Sequence, residues 1–318
     1  MKKVLILMEL NAAQREKLEA AGAGAELRFS RPDRVSEEEI QAANVIIGLP
    51  KAEMIKASEN LKLLQLESAG TDAYIVPGVL SEKTALTNAT GAYSQAVAEH
   101  AFALTLMLQK KLHLYRDEQR AARWTDRGTV SSLRGATVAV VGLGDIGGYY
   151  ARLVKSMDAY VIGVKRRPSS CPECVDELAL TEELDRVLPR ADVLMSVLPN
   201  TAATRHMYTL DSFRLMKDSA IFINCGRGNA VSARTLYEVL SRKMIYAAGI
   251  DVAETEPLPE DSPLWTLENL VITPHVSGSH HLPETVDRIV DICAANLRAF
   301  LAGEELKNLV DLSTGYRK

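Results

Sequence analysis

A chain of 318 residues, 47 % hydrophobic and 25 % charged, is too long for one ordinary core, so two domains are expected. A net charge of −4 argues against a nucleic-acid-binding or anionic-membrane surface. Four cysteines (Cys171, Cys174, Cys225 and Cys293) are too few for a disulfide scaffold, and no apolar run is long enough to span a membrane. After Met1-Lys-Lys the apolar run stops at Glu9, too soon for a signal peptide. A cytoplasmic protein with reduced cysteines is therefore expected.

Strand-like and helix-like runs alternate from the start. Val4–Met8 reads as a buried strand, and Asn11 can cap a helix carrying Leu18. Leu27–Phe29 is a short strand, and Ser36-Glu-Glu-Glu39 has the form of a capping box before Ile40. Further strands are predicted over Val45–Leu49, Leu61–Leu66 and Ala85–Asn88, with the turn Ser68-Ala-Gly-Thr-Asp72 between the last two. Strands separated by short helices imply βαβ units and a parallel sheet. The first ninety or so residues thus read as a small α/β domain without a glycine fingerprint. From Ala96 to about Arg123 the pattern is that of one long helix, preceded by Ser94 as a possible cap and uninterrupted by Pro or Gly.

Val138 to Gly147, VAVVGLGDIG, organises the rest of the chain. A β-branched buried strand runs into Gly142, Leu143, Gly144, Asp145, Ile146 and Gly147, and then a helix near Gly148. In such a loop one glycine makes the tight turn, one lets backbone approach a pyrophosphate, and one lets helix and strand pack closely. The helix N-terminus offers N–H groups to the phosphates. Strands are then predicted over Tyr160–Val164, Val193–Leu198, Ala220–Asn224, Ala247–Val252 and Leu270–Thr273, giving a doubly wound dinucleotide-binding domain over 97–283. Residues 1–96 and 284–318 make the second domain, the tail being a helix after Pro283 that ends near Gly303.

An NAD site carries an acid about 20 residues after the fingerprint, on the ribose 2′-OH. Here the second strand ends in Val164, Lys165, Arg166, Arg167 and Pro168, with no acid. A cationic turn suits a 2′-phosphate, so NADP(H) is favoured and NAD(H) remains possible. Three later loops deliver charged or titratable residues after successive strands: Asn224-Cys-Gly-Arg-Gly228, Asp251-Val-Ala-Glu-Thr-Glu-Pro257 and Thr273-Pro-His-Val-Ser-Gly278. An Arg between glycines suits a carboxylate clamp. A His beside a Glu suits proton transfer. Cys171-Pro-Glu-Cys174 has zinc or redox spacing, but no second pair or nearby His completes a structural zinc site, and no metal is expected. His280-His281, next to the Thr273–Gly278 loop, reads as a solvated pair in preference to a lining of the cleft.

The motifs GLGDIG, NCGRG, DVAETEPLPEDSPLW and ITPHVSG, with SAGTD and NATGAYSQAVAEH before them, resemble those of the D-isomer-specific 2-hydroxyacid dehydrogenases over nearly the whole chain. The resemblance implies a Rossmann domain inserted into a smaller flavodoxin-like α/β substrate domain, with the active site in the cleft. It implies Arg227, Glu256 and His275 as catalytic residues. Arg227 would hold the carboxylate and carbonyl oxygen of a 2-oxo acid, His275 would protonate that oxygen, and Glu256 would orient His275. Backbone N–H groups at Ala69 and Gly70 would form a second carboxylate anchor. Asp251 would bond the nicotinamide carboxamide, and Pro199, Thr204, Cys225 and Gly278 would line the cofactor. The basic Lys165–Arg167 turn resembles the NADPH-using glyoxylate and hydroxypyruvate reductase branch. A homodimer is implied, joined through the nucleotide domain and its long helix. An alternative on the same fold is a nucleotide-sensing interaction protein of the corepressor kind.

Overall fold

Five short runs, each too short for a helix, build the first sheet. A computed structural model describes residues 1–56 and 58–315. The chain divides into one unit of Met1–Tyr93 with His280–Lys318 and another of Ser94–Ser279. The first begins β1 (Lys3–Leu7), α1 (Ala12–Ala21), β2 (Glu26–Phe29), α2 (Glu37–Ala42), β3 (Val45–Gly48), α3 (Ala52–Ile55), β4 (Leu63–Gln65) and β5 (Ala85–Thr87). The strand order is β2-β1-β3-β4-β5, every pair parallel, which is the flavodoxin-like order. Reciprocal side-chain caps start two of its helices, Asn11 with Gln14 and Ser36 with Glu39, as the sequence pattern indicates.

The second unit runs α4 (Ser94–Gln109), α5 (Leu112–Arg120), β6 (Thr137–Val141), α6 (Asp145–Lys155), β7 (Tyr160–Lys165), β8 (Glu177–Leu180) and α7 (Leu184–Val187). It continues with β9 (Val193–Ser196), α8 (Leu210–Leu215), β10 (Ile221–Asn224), α9 (Ala233–Ser241), β11 (Ala247–Ile250) and β12 (Leu270–Ile272). The sheet order is β12-β11-β10-β9-β6-β7-β8, again all parallel. The chain winds outward from β6 to β8, then returns beside β6 at β9 and winds the other way. This is a doubly wound Rossmann sheet whose switch point lies between β6 and β9. The last helix, α10 (Pro283–Ala302), belongs to the first unit. Its buried Asn296 donates to Gln65 Oε1 at 2.6 Å, and Thr87 donates to the same oxygen at 2.7 Å. No helix among the described residues is long and apolar enough to cross a membrane.

Three elements depart from the sequence reading. The long helix expected over Ala96–Arg123 is two helices, because Lys111 takes a left-handed backbone with φ 57°. Nζ of Lys110 and of Lys111 reach the carbonyls of Ser131 and Arg127 at 2.6 and 2.5 Å, so the turn is fastened to the returning chain. The helix expected near Gly148 starts earlier, at Asp145. Edge strand β8 has no counterpart among the expected strands. Its four residues carry a glutamate, Glu177, which pairs with Arg190 at 2.7 Å.

Just past β4, Glu67 is only 9 % exposed, and burial, with the Glu9 charge adding, pushes its carboxyl up to about 7. The unfolded chain has its ordinary 4.5. The proton held in the fold therefore stabilises it below pH 4.5, and that stability is lost as pH rises through about 7. A rise of this size is worth about 3 kcal/mol. Glu67→Gln is expected to raise unfolding free energy at pH 8 by roughly 2–3 kcal/mol and to change it little at pH 4.5. Urea denaturation at the two pH values checks this; an equal gain at both would contradict it.

Candidate active site

The glycine loop divides three tasks among three residues. Gly142 adopts φ +99°, and a Cβ there would lie 2.6 Å from the Val197 carbonyl across the switch point. A Cβ on Gly147 would lie 2.2 Å from the Gly142 carbonyl, so helix and turn meet at backbone distance. A Cβ on Gly144 would meet nothing within 4 Å. That position is the open one, where a pyrophosphate can approach. Gly144 is the N-cap of α6, and no side chain caps that terminus, so Asp145, half-buried Ile146 and Gly147 lead an uncapped helix end suited to an anion. This cradle fits a dinucleotide.

At the end of β7, Lys165 is half-buried and its Nζ lies 2.8 Å from Ser169 Oγ, while Arg166 and Arg167 are exposed. Lys165, Arg167, Ser169 and Leu180 line a hollow there. On the far side of the switch point, the Thr204 hydroxyl donates to the Pro199 carbonyl at 2.6 Å and accepts the Thr201 N–H at 3.0 Å. It shapes that loop from within. Cys225 is buried, and burial, with the Asp251 charge adding, pushes its thiol far up, so it is a neutral packing group and not a nucleophile.

β10, β11 and β12 are adjacent and parallel, so the loops at their carboxyl ends emerge side by side. Arg227 follows β10. It is half-buried, with Nη1 donating to the Gly226 carbonyl at 3.0 Å. Its neighbour Gly228 is pressed so closely on the next loop that a Cβ would lie 1.9 Å from the Ala253 carbonyl. Glu256 comes from the loop after β11. Its Oε1 accepts the Ala253 N–H at 3.0 Å and its Oε2 lies 2.7 Å from His275 Nδ1. A carboxylate only accepts, so the shared proton sits on Nδ1.

His275 has a left-handed backbone, φ 54°, an uncommon state for a non-glycine residue. It is held there by Asp251, which is 1 % exposed. The Asp251 carbonyl accepts the His275 N–H at 2.7 Å. Its carboxylate accepts Thr273 Oγ1 at 2.6 Å, the N–H groups of Val276 and Ser277 at 3.0 Å each, and Ser277 Oγ at 2.5 Å. The resemblance gives Asp251 to the nicotinamide carboxamide; the structure commits its side chain to the loop that runs through His275 to half-buried Gly278. Thr273 Oγ1, its proton spent on Asp251, also lies 2.9 Å from His100 Nε2 on α4. The sequence reading has no role for Thr273, Ser277 or His100 at the site. In the other unit, the loop after β4 is closed by Ser68 Oγ donating to the Gly70 carbonyl at 2.8 Å and by Asn88 Nδ2 donating to the Ala69 carbonyl at 2.8 Å. Among the described residues no group of three or more His, Cys, Asp or Glu could hold a metal ion.

A glycine cradle at the switch point, with a His–Glu pair and an Arg on neighbouring strand ends, defines a dinucleotide-dependent oxidoreductase. The family model for the D-isomer specific 2-hydroxyacid dehydrogenase, NAD binding domain, matches residues 102–277. The chain is 32 % identical over 263 residues to glyoxylate/hydroxypyruvate reductase B of an Enterobacter species, covering 81 % of this chain and 80 % of that one. A D-isomer specific 2-hydroxyacid dehydrogenase family protein from Aeromonas salmonicida superposes with TM-score 0.85 at 30 % identity, covering 98 % of this chain and 99 % of that one. A D-isomer specific 2-hydroxyacid dehydrogenase from Xanthobacter autotrophicus, in complex with NADPH and MES, superposes with TM-score 0.84 at 27 % identity, covering 99 % of each chain. The chain belongs to the D-isomer-specific 2-hydroxyacid dehydrogenase family and is an NAD(P)-dependent oxidoreductase. The nucleotide-sensing alternative has no support among these similarities.

Proposed function

We propose that this protein reduces a small 2-oxo acid of the glyoxylate or hydroxypyruvate kind to the D-2-hydroxy acid, with NADPH preferred over NADH. The observation that carries the reading is the 2.7 Å contact between His275 Nδ1 and Glu256, on strand ends neighbouring that of Arg227. The nicotinamide, when bound, supplies the hydride. Arg227 offers paired N–H donors to the substrate carboxylate and draws charge from the carbonyl oxygen. His275 Nε2 gives that oxygen its proton, and Glu256 steadies the cation on the Nδ1 side. Asp251 and Ser277 hold the His275 loop during the exchange. In the other unit, the Ala69 and Gly70 N–H groups are proposed to bind a carboxylate.

The NADPH preference rests on Lys165, Arg166 and Arg167, and on the absence of an acid there. Each charge-assisted contact to a 2′-phosphate is worth about 1.5–3 kcal/mol. Initial rates with glyoxylate, hydroxypyruvate, pyruvate and phenylpyruvate, with NADPH beside NADH, test both claims. Lys165→Ala with Arg166→Ala is expected to raise KM for NADPH by roughly 10–100-fold while moving KM for NADH less than about threefold. Equal changes for both cofactors would make the turn a solvated loop, and no turnover on the panel would overturn the substrate class.

A homodimer is proposed on the same footing. Leu112, Trp124 and Val130 lie exposed on α5 and on the 121–134 segment before β6, an apolar series that a second copy would cover. All four cysteines are free thiols, as suits a cytoplasmic setting.

A further inference from the structure

A second carboxylate–imidazole pair fastens the loop that carries Glu256, and the chemistry above does not use it. Glu254 Oε1 lies 2.7 Å from His206 Nε2, and Oε2 accepts the N–H of Ala233, the first residue of α9, at 2.8 Å. Burial opposes ionisation of Glu254, but the Ala233 N–H and the His206 contact outweigh it and hold the carboxyl below its ordinary range. His206 has a left-handed backbone with φ 49°, and its N–H donates to the Asn229 carbonyl at 2.7 Å. Asn229 also bonds Asn200 through its side chain, and the Ala230 N–H returns to the Arg227 carbonyl at 3.2 Å.

Three loops are thus tied at one carboxylate. His206 belongs to the segment after β9, Asn229 and Ala233 to the segment after β10, and Glu254 to the segment after β11. Beside this tie the Ala253 carbonyl fills the place of the missing Gly228 side chain, and the Ala253 N–H holds Glu256 Oε1 at 3.0 Å. A displacement of Glu254 would reach Glu256 through Ala253, and Arg227 through Gly228.

We propose that Glu254, braced by His206, is a positioning residue for reduction. It sets the Ala253–Glu256 turn so that Glu256 meets His275 and the Arg227 loop lies against it. This rests on the catalytic reading of Arg227, Glu256 and His275. Both partners are partly exposed, with side-chain accessibilities of 43 % for His206 and 27 % for Glu254, so the pair adds little to stability. A misplacement of about 1 Å at a reacting group, by contrast, costs about 10²-fold in rate.

The test uses Glu254→Ala, Glu254→Gln, His206→Ala and the double alanine variant in the full chain, beside His275→Ala. Glu254→Ala is expected to lower kcat by roughly 10–100-fold, with NADPH affinity by fluorescence titration and Tm close to wild type. Glutamine can accept from Ala233 and donate to His206, so Glu254→Gln is expected to recover most of the lost kcat. The double variant is expected to be no slower than Glu254→Ala alone, because both changes cut one tie. Wild-type kcat in Glu254→Ala, or a kcat loss that tracks lost NADPH affinity, overturns the proposal while leaving the catalytic reading intact when His275→Ala is inactive. Wild-type turnover in His275→Ala overturns both.

Discussion

His275→Ala is expected to lose about 10²–10⁴-fold in kcat for 2-oxo acid reduction while binding NADPH as wild type does. In the proposed mechanism the imidazole gives the carbonyl oxygen its proton, and its contribution exists only while the bond order at that oxygen is changing. Removing it should therefore leave KM for substrate within a few fold and act on kcat. Glu256→Gln makes the companion case. The amide can keep a 2.7 Å partner on Nδ1 but no longer opposes a positive charge on the ring, so a smaller loss in kcat is expected. Stopped-flow NADPH oxidation across pH, with cofactor affinity measured separately, checks both. A His275→Ala enzyme that turns over at the wild-type rate would remove the proton donor from the mechanism.

Arg227→Ala is expected to act on both constants. The guanidinium makes two charge-assisted contacts in the proposed complex, each worth about 1.5–3 kcal/mol, so kcat/KM should fall by about 10²–10⁴-fold. Arg227→Lys should recover only a small part of this, because a point charge cannot make the paired contact. The backbone offers no remedy, since Gly228 is wedged against the Ala253 carbonyl and the loop cannot slide to bring a shorter side chain forward. Steady-state kinetics with glyoxylate and NADPH on the three proteins decides it. Turnover within threefold of wild type in Arg227→Ala would place the carboxylate elsewhere.

Much of this architecture is written locally. Val138–Val141 before Gly142, or Ile221–Asn224 before Arg227, are buried runs whose length, β-branching and flanking glycines name them as strands without any knowledge of their neighbours. Chain order then gives a parallel, doubly wound sheet. What escapes the sequence depends on partners far along the chain. Lys111 breaks a helix with no Gly or Pro to announce it, because its side chain and that of Lys110 find carbonyls on residues 127 and 131. Among the described residues, Glu177–Leu180 pairs with β7 alone and keeps a salt-bridged glutamate, so it lacks the apolar continuity of an inner strand. Glu254 and His206 are 48 positions apart, and each alone has the look of a surface charge. Asp251 is legible as a site residue, but its hold on Thr273, Val276 and Ser277 is not, since a carboxylate's choice among donors is settled by three-dimensional approach.

The interrupted first unit has a consequence for how the chain is made. Residues 94–279 leave the ribosome as one unbroken length and hold every strand of their own sheet. The opening sheet must wait. Leu86 at its edge receives the Val310 N–H at 2.8 Å, and Gln65 within it is bonded by Asn296 of α10. Both partners are made only after residues 94–279. During translation the strands of this first sheet are thus sealed after those of the second, and for that interval they expose apolar surface that a chaperone can cover.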